Sequence, residues 1–113
     1  MAIIRLYTGD DGETHIEELD LADHPELTTL QAAKGIVFRR HEPGNSIDFH
    51  VAPRRQYIIN ISGDVEYVLG DGSVHRFGPG HATLAEDLTG RGHITRVPGD
   101  EPRISVAIPL ADE

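Results

Sequence analysis

The sequence lacks cysteine, long apolar runs and an excess of positive charge. The absence of cysteine excludes a disulfide framework, a thiolate metal site and a cysteine nucleophile, and it fits a reducing cytoplasm. No apolar stretch reaches the length of a signal peptide or a membrane span, so we expect a cytoplasmic protein without a membrane partner. The net charge of −9 would repel nucleic acid at long range. A small-molecule ligand or a protein partner is therefore expected.

The local motifs of two large enzyme classes are also missing. No serine stands in a Gly-x-Ser-x-Gly context that would present it as a nucleophile. Neither common type of phosphate-binding loop is present. A serine-centred catalytic triad is therefore not supported.

Turn residues between short apolar segments are abundant. The 113 residues include 12 glycines and 7 prolines, and this length corresponds to one domain. Short strands at such spacing predict an all-β sandwich or barrel. Asp23 is expected to cap one or two helical turns that begin at Pro25 and end by Leu30. The predicted strands are 2–7, 13–19, 36–40, 47–50, 55–61, 65–69, 74–77, 82–85, 93–97 and 103–108.

The strand at 55–61 has two different faces. Alternation places Tyr57 with two isoleucines on one face, and Gln56 with Ile58 and Asn60 on the other. The apolar face would pack between sheets or be covered by a second copy of the chain. Alternation alone leaves open which face is interior.

Two runs of residues have a distinctive spacing. In the first run, Gly44 precedes His50 by six positions, and Ala52, Gln56 and Gly63 follow. The second run extends from Pro79-Gly80-His81 to His93-Ile94-Thr95-Arg96. Together these runs resemble the two sequence motifs of the cupin family, over roughly Gly44 to Ile108.

The resemblance implies an all-β, cupin-like double-stranded β-helix, which is a jelly-roll barrel. It implies a single cupin domain over residues 1–113, with an N-terminal strand extension over about 1–35 and the core motifs over about 36–109. Small cupins commonly form dimers, so the resemblance also implies a homodimer. An exposed strand at 2–7 would be able to exchange onto the partner's sheet.

The family's metal ligands are only partly present. His50 matches the first histidine of the first motif, whereas Ala52 and Gln56 stand where the family has a second histidine and a glutamate. In the second motif His93 lies two residues beyond the position of the last histidine. The resemblance therefore implies at most two metal ligands, His50 and His93, for a divalent ion of the iron, manganese, nickel or zinc class. A polar pocket without metal is the alternative.

Several further residues are candidates for substrate binding or catalysis. Arg54 shares a strand face with Gln56 and would bind a carboxylate in a bidentate way, or else form a surface ion pair. Tyr57 would contribute its hydroxyl to a pocket or pack in the core. Gln56 would orient the substrate, and Glu86 would act as a general acid or base, or else be solvated beside Asp87.

The remaining histidines receive plainer interpretations. His24 and His41 are predicted to lie in loops and to be solvated. His81 follows a Pro-Gly turn and is expected to cap a strand.

Three functional hypotheses follow from these residues. The first is a metal-dependent oxygenase, isomerase or lyase acting on a carboxylate-bearing metabolite. The second is a metal-free module that binds a small molecule without turnover. The third is an accessory subunit with a vestigial pocket.

Overall fold

Ten β-strands form two sheets in the computed structural model, which describes residues 3–111. All ten predicted strands are confirmed, and their ends agree to within one residue; Ala2 lies outside the described residues. The strands are β1 (Ile3–Thr8), β2 (Thr14–Glu18), β3 (Val37–His41), β4 (Ser46–His50), β5 (Gln56–Ser62), β6 (Val65–Val68), β7 (Val74–Phe77), β8 (Ala82–Glu86), β9 (His93–Arg96) and β10 (Arg103–Pro109).

The two sheets pair strands that are distant in sequence. The larger sheet has the order β2-β1-β8-β5-β10-β3, and only the β1–β8 pairing is parallel among its pairs. The smaller sheet has the order β4-β9-β6-β7 and is antiparallel throughout. This arrangement confirms the predicted all-β jelly-roll barrel. β1 lies between β2 and β8 of its own chain, so the expectation that this N-terminal strand is exposed at a sheet edge is wrong.

The helical segment is one turn long, within the predicted one or two turns, but it is capped differently. A single 3₁₀ turn spans Pro25–Thr28, and its N-cap residue is His24, which makes no side-chain capping bond. Asp23 is therefore not the cap. A turn of this length has too few hydrogen bonds to propagate as an α-helix. No helix among residues 3–111 is long and apolar enough to cross a membrane.

The apolar core occupies one end of the space between the sheets. Ile4 and Leu6 of β1 pack there against Val65 and Tyr67 of β6. Each fully buried side chain of this size contributes about 1.5–3 kcal/mol through the hydrophobic effect. The outer face of the larger sheet carries a second cluster, in which Leu19, Leu84 and Leu110 are covered by the segment that includes Leu27. The rest of the space between the sheets is left for a cavity.

A buried polar chain crosses the apolar core. His81 Nε2 lies 2.8 Å from Thr83 Oγ1, which lies 2.9 Å from the Tyr67 hydroxyl. The His81 ring stacks on Phe77 with 4.0 Å between the ring centroids. Burial, followed by the positive charge of Arg103, lowers the pKa of His81 from 6.5 to about 4. His81 is therefore a neutral member of the core and not the strand cap that its sequence context suggested.

The stability of the fold should depend on pH through His81. An unfolded chain binds a proton at this histidine below pH 6.5, whereas the folded chain does so only near pH 4. Stability from this source is therefore present above pH 6.5 and is lost as the pH falls toward 4. We expect His81→Gln, which cannot titrate, to show a smaller loss over this range in urea unfolding followed by far-UV circular dichroism. Equal losses in the two proteins would contradict the assignment.

Candidate functional site

A cavity of about 460 Å³ lies between the two sheets. Gln56 and Ile58 of β5 line it, whereas Tyr57 on the next position belongs to the cluster on the outer face. The mixed face of β5 is therefore the interior one. Arg39, Asn45 and Ile47 line the cavity and are exposed, so the cavity opens to solvent beside β3 and β4.

Among aspartate, glutamate, histidine, lysine and arginine side chains, only basic ones line this cavity. Three arginines and three histidines contribute to the lining, and no aspartate or glutamate does. They are Arg39, Arg54, Arg103, His41, His50 and His93. A cationic cavity contrasts with the net charge of −9 that the whole chain carries. The carboxylates of residues 3–111 therefore lie outside the lining of the cavity.

The nine arginines divide into two groups. Six lie within ion-pair distance of a carboxylate: Arg5, Arg40, Arg55, Arg76, Arg91 and Arg96. The other three are those that line the cavity, and none of them forms an ion pair with a carboxylate of residues 3–111. Among residues 3–111, the only side-chain hydrogen bonds of these three run to amide oxygens: Arg54 donates to Gln56 and Arg103 donates to Asn60.

His50 and His93 face each other across the smaller sheet. The two residues are antiparallel partners in the β4–β9 pairing, and their ring centroids are 4.7 Å apart. Gly92 allows this approach because a Cβ atom at its position would collide with the carbonyl oxygen of His50. Gly92 also has a φ of +80°, which a glycine adopts without strain. The loop that precedes β9 is thus shaped to bring His93 against His50.

A buried carboxylate orients His93. Asp87 is fully buried, and its Oδ2 atom lies 2.5 Å from His93 Nδ1 and 2.8 Å from the hydroxyl oxygen of Thr14, which donates to it. His50 is oriented in a similar way, since its Nδ1 lies 2.9 Å from the carbonyl oxygen of Asp48. Neither Nε2 atom makes a hydrogen bond with another residue of 3–111. Both imidazoles therefore present Nε2 as a free donor or acceptor.

The histidine pair alone does not make the metal centre that the resemblance implied. Bonds from Nδ1 to a carboxylate and to a carbonyl resemble those of metal-ligating histidines. No group of three or more histidine, aspartate or glutamate side chains that would hold a metal ion exists among residues 3–111. Asp87 is engaged by Nδ1 of His93, and Gln56 offers only a neutral amide oxygen. Two imidazoles and an amide do not fit a divalent ion that needs three or four protein ligands.

The residues at the replaced ligand positions still belong to the cavity. Ala52 and Gln56 are both buried and line it together with His50, His93 and Arg54. The Arg54 Nε donates a hydrogen bond of 3.3 Å to Gln56 Oε1. The structure therefore brings together four of the residues proposed from the sequence: Arg54, Gln56, His50 and His93.

Two of the proposed residues lie elsewhere. Tyr57 and Glu86 line a second pocket of about 250 Å³ on the outer face of the larger sheet. The Tyr57 hydroxyl donates a hydrogen bond of 2.8 Å to Gln31 Oε1. Glu86 forms ion pairs with Arg5 and Arg55. Both side chains face away from His93, because neighbouring strand positions point to opposite faces.

Sequence reasoning missed four residues of the site. Asp87 continues the inward alternation of Thr83 and Ala85 beyond the end of β8, and this pattern would have revealed it. His41 was expected in a solvated loop, but it ends β3 and lines the cavity. Its alternation with Arg39 was visible in the sequence, whereas the arrival of Arg103 beside them requires the β3–β10 pairing.

Comparison with known proteins identifies the fold. No protein-family model and no curated protein sequence matches the chain. Among solved structures, an uncharacterised conserved protein with a double-stranded β-helix domain from Klebsiella pneumoniae is 27% identical, over 72% of this chain and 75% of that chain, with a TM-score of 0.54. A polyketide cyclase from Streptomyces resistomycificus is 17% identical over 96% of this chain and 75% of its own, with a TM-score of 0.58.

A third similar structure is that of a protein described as belonging to a cupin superfamily. It is a sugar phosphate isomerase from a cupin superfamily, from Silicibacter pomeroyi, and it is 20% identical. The match covers 90% of this chain and 61% of that chain, with a TM-score of 0.55. These similarities agree with the double-stranded β-helix that the strand order describes.

Asp87 should be necessary for the stability of the site. Asp87→Ala would leave the buried His93 Nδ1 and the Thr14 hydroxyl without their acceptor. We expect a loss of about 2–4 kcal/mol in the free energy of unfolding, since each buried group left unpaired costs about 1–3 kcal/mol. Urea unfolding at neutral pH measures this loss. Asp100→Ala, in an exposed turn, is the matched control and should change the free energy by less than about 0.5 kcal/mol.

Proposed function

We propose that this cupin domain binds a small carboxylate-bearing metabolite in the cavity between its sheets, without requiring a metal ion. The observation that carries the proposal is the segregation of the arginines. Every arginine that lines the cavity lacks an ion pair with a carboxylate of residues 3–111, although the chain carries 19 aspartates and glutamates. Cations held without a counter-ion attract an anionic ligand.

Arg54 and Gln56 would recognise the carboxylate. The guanidinium of Arg54 presents donors in a planar fork that matches a carboxylate. Gln56 accepts a hydrogen bond from Arg54, which leaves its amide NH₂ group available as a donor. The cavity of about 460 Å³ falls within the range of about 300–1,000 Å³ that small-molecule sites occupy. Ile47, Ile58 and Val97 supply the apolar part of the lining.

A catalytic role is the second candidate, and the Asp87–His93 pair favours it. A buried carboxylate that accepts from Nδ1 fixes the imidazole so that Nε2 faces the cavity. A histidine held in this way is suited to move a proton to or from a bound substrate. The cavity would then support an isomerisation or an elimination by acid–base chemistry. Two of the similar structures are described as a cyclase and an isomerase, and their likeness to this chain is one of fold.

A homodimer is proposed as the assembly, because part of the outer face of the larger sheet, at β3 and β5, exposes large apolar side chains. Phe38, Val106 and Ile59 form a row across β3, β10 and β5. Phe38 is 67% exposed and Ile61, further along β5, is 49% exposed. A two-fold axis would place this face against the same face of a second copy and remove both side chains from water.

The metal-free pocket makes a direct prediction about ligand binding. We expect members of a panel of carboxylates, such as pyruvate, succinate and benzoate, to raise the melting temperature equally with and without EDTA. Arg54→Gln should weaken binding about tenfold or more, because a hydrogen bond to a charged group contributes about 1.5–3 kcal/mol. Isothermal titration calorimetry with the best carboxylate measures the change.

Controls separate this prediction from its alternatives. Arg76→Gln removes an arginine that pairs with Asp64 on the surface and should leave binding unchanged. If EDTA abolished the stabilisation and added metal restored it, the metal-dependent hypothesis would replace the proposal. If no carboxylate had any effect, a vestigial pocket would be the better explanation.

The proposed assembly is tested by mass in solution. Light scattering after size exclusion should give about twice the chain mass of 12.4 kDa. Phe38→Glu should reduce this to the mass of one chain, because it places a charge in the apolar face. Val74→Glu on β7, where Val74 is 51% exposed, is the matched control and should leave the dimer intact. A wild-type protein with the mass of one chain would contradict the proposal.

A further inference from the structure

The cavity has two ends that differ in their side chains. Within the β5–β10 pairing Gln56 is opposite Pro109, and Asn60 is opposite Ser105. Gln56 and Asn60 are four residues apart, which corresponds to about 13 Å along the strand. Arg54 belongs to the Gln56 end, whereas Arg103 donates to Asn60 at the other end. The carboxylate site proposed above therefore leaves the far end of the cavity without an assigned ligand.

Two arginines and a histidine converge at this far end. Arg103 of β10 is directly opposite His41 of β3, and Ser105 is opposite Arg39. All four residues line the cavity. Arg39 and Arg103 are diagonal neighbours on adjacent strands, a relation that places Cβ atoms about 7–8 Å apart. Their guanidinium groups are thus within reach of one small anion. We call this set of four residues the Arg103 end of the cavity.

Arg103 is a buried cation without a counter-ion. Its exposed fraction is 5%, and the one hydrogen bond of its side chain to another residue of 3–111 runs 2.7 Å from Nε to the amide oxygen of Asn60. The side chain of Arg39 makes no hydrogen bond or ion pair with any residue of 3–111. A buried charge without a partner is costly, and proteins normally pair it. An anion that enters the cavity would supply the missing partner.

The pKa of His41 is affected by the positive charges of both arginines. Burial lowers the pKa of His41, and the positive charges of Arg103 and Arg39 lower it further. The imidazole is therefore neutral at physiological pH, and the charge at this end is that of the two guanidiniums. Both guanidinium charges thus act on the His41 ring, in agreement with the β3–β10 register, which places the three residues close together.

The other cluster of arginines on the molecule is neutralised in a different way. Arg5 and Arg55 lie beside the second pocket, and both form ion pairs with Glu86. Arg5 also pairs with Glu17 at 3.0 Å. Carboxylates of the chain thus occupy the position that an anionic ligand would take there. The Arg103 end has no such internal carboxylate among residues 3–111.

We infer that the Arg103 end binds the phosphate group of the ligand, so that the metabolite recognised by this cavity carries a phosphoryl group. A phosphate monoester has a charge of about −1.5 to −2 at neutral pH and three acceptor oxygens. Two guanidiniums supply the matching charge and enough donors for these oxygens, whereas one carboxylate balances only one of the two charges. This inference deepens the proposed function and rests on it, because both require the cavity to hold an anionic small molecule.

The experiment compares two neighbouring arginines on the same strand. Arg39 faces the cavity, whereas Arg40 is exposed, pairs with Glu42 and does not line the cavity. Calorimetric titration of inorganic phosphate into wild-type protein, at constant ionic strength, measures binding. We expect Arg39→Gln to weaken phosphate binding at least tenfold, and Arg40→Gln to leave it unchanged. Arg39 is exposed, so its replacement should not disturb folding as a change at the buried Arg103 would.

Titration of carboxylates into the same proteins distinguishes a failure of the phosphate assignment from a failure of the proposed function. If carboxylates bind and phosphate does not, the phosphate assignment is overturned and the proposed function stands. Equal losses of phosphate binding in Arg39→Gln and Arg40→Gln would indicate general charge attraction and would also overturn it. If neither anion binds wild-type protein, both the inference and the proposed function fail. Weaker phosphate binding in Arg39→Gln alone, with carboxylate binding retained, supports the inference.

Discussion

The site depends on the carboxylate of Asp87, which joins the two sheets where β8 ends. Its Oδ2 atom accepts from Thr14 of β2 in the larger sheet and contacts His93 of β9 in the smaller one. Its backbone carbonyl also accepts a hydrogen bond of 3.0 Å from the amide of Ala52. One buried residue thus sets the spacing of the sheets, the orientation of His93 and the path of the chain that leads to Arg54. The apolar core adjoins the cavity, since Leu6 and Tyr67 belong to the core and also line the cavity.

The distribution of charge follows from the same two-sheet architecture. Three carboxylates of the strands point outward and neutralise arginines: Glu17 pairs with Arg5, Glu66 with Arg96, and Glu86 with Arg5 and Arg55. The inward positions of β3 and β10 carry Arg39, His41 and Arg103 with no acid opposite them. An acidic protein therefore encloses a cationic interior. Since exposed charges are screened within about 8–10 Å in physiological salt, a ligand inside the cavity responds mainly to the arginines that line it.

Local patterns in the sequence were enough to predict the strands but not the site. Alternation and turn residues identified all ten strands, and the motif spacing identified the barrel, His50 and His93. Alternation could not decide which face of β5 is interior, so Gln56 and Tyr57 were both assigned to one pocket although they point to opposite sides. Arg103 and His41 are neighbours only through the pairing of β10 with β3, which are more than 60 residues apart. Asp87 was missed because it lies one residue beyond the end of β8, where the sequence was interpreted as the start of a loop.

The replaced metal-ligand positions and the cavity arginines that lack an ion pair within residues 3–111 have the same electrostatic consequence, because both disfavour a bound cation. A metal centre with a glutamate ligand would bring a negative charge into the cavity, but here Gln56 is neutral and Ala52 is apolar. A divalent ion about 10 Å from one guanidinium would be repelled by about 3 kcal/mol at an effective dielectric constant of about 20. Three arginines line this cavity, and no carboxylate of residues 3–111 pairs with them, since the buried Asp87 is engaged by His93 and Thr14. The same charges that oppose a cation at His50 and His93 attract an anion, so the replaced ligands and the cationic lining favour the same class of ligand.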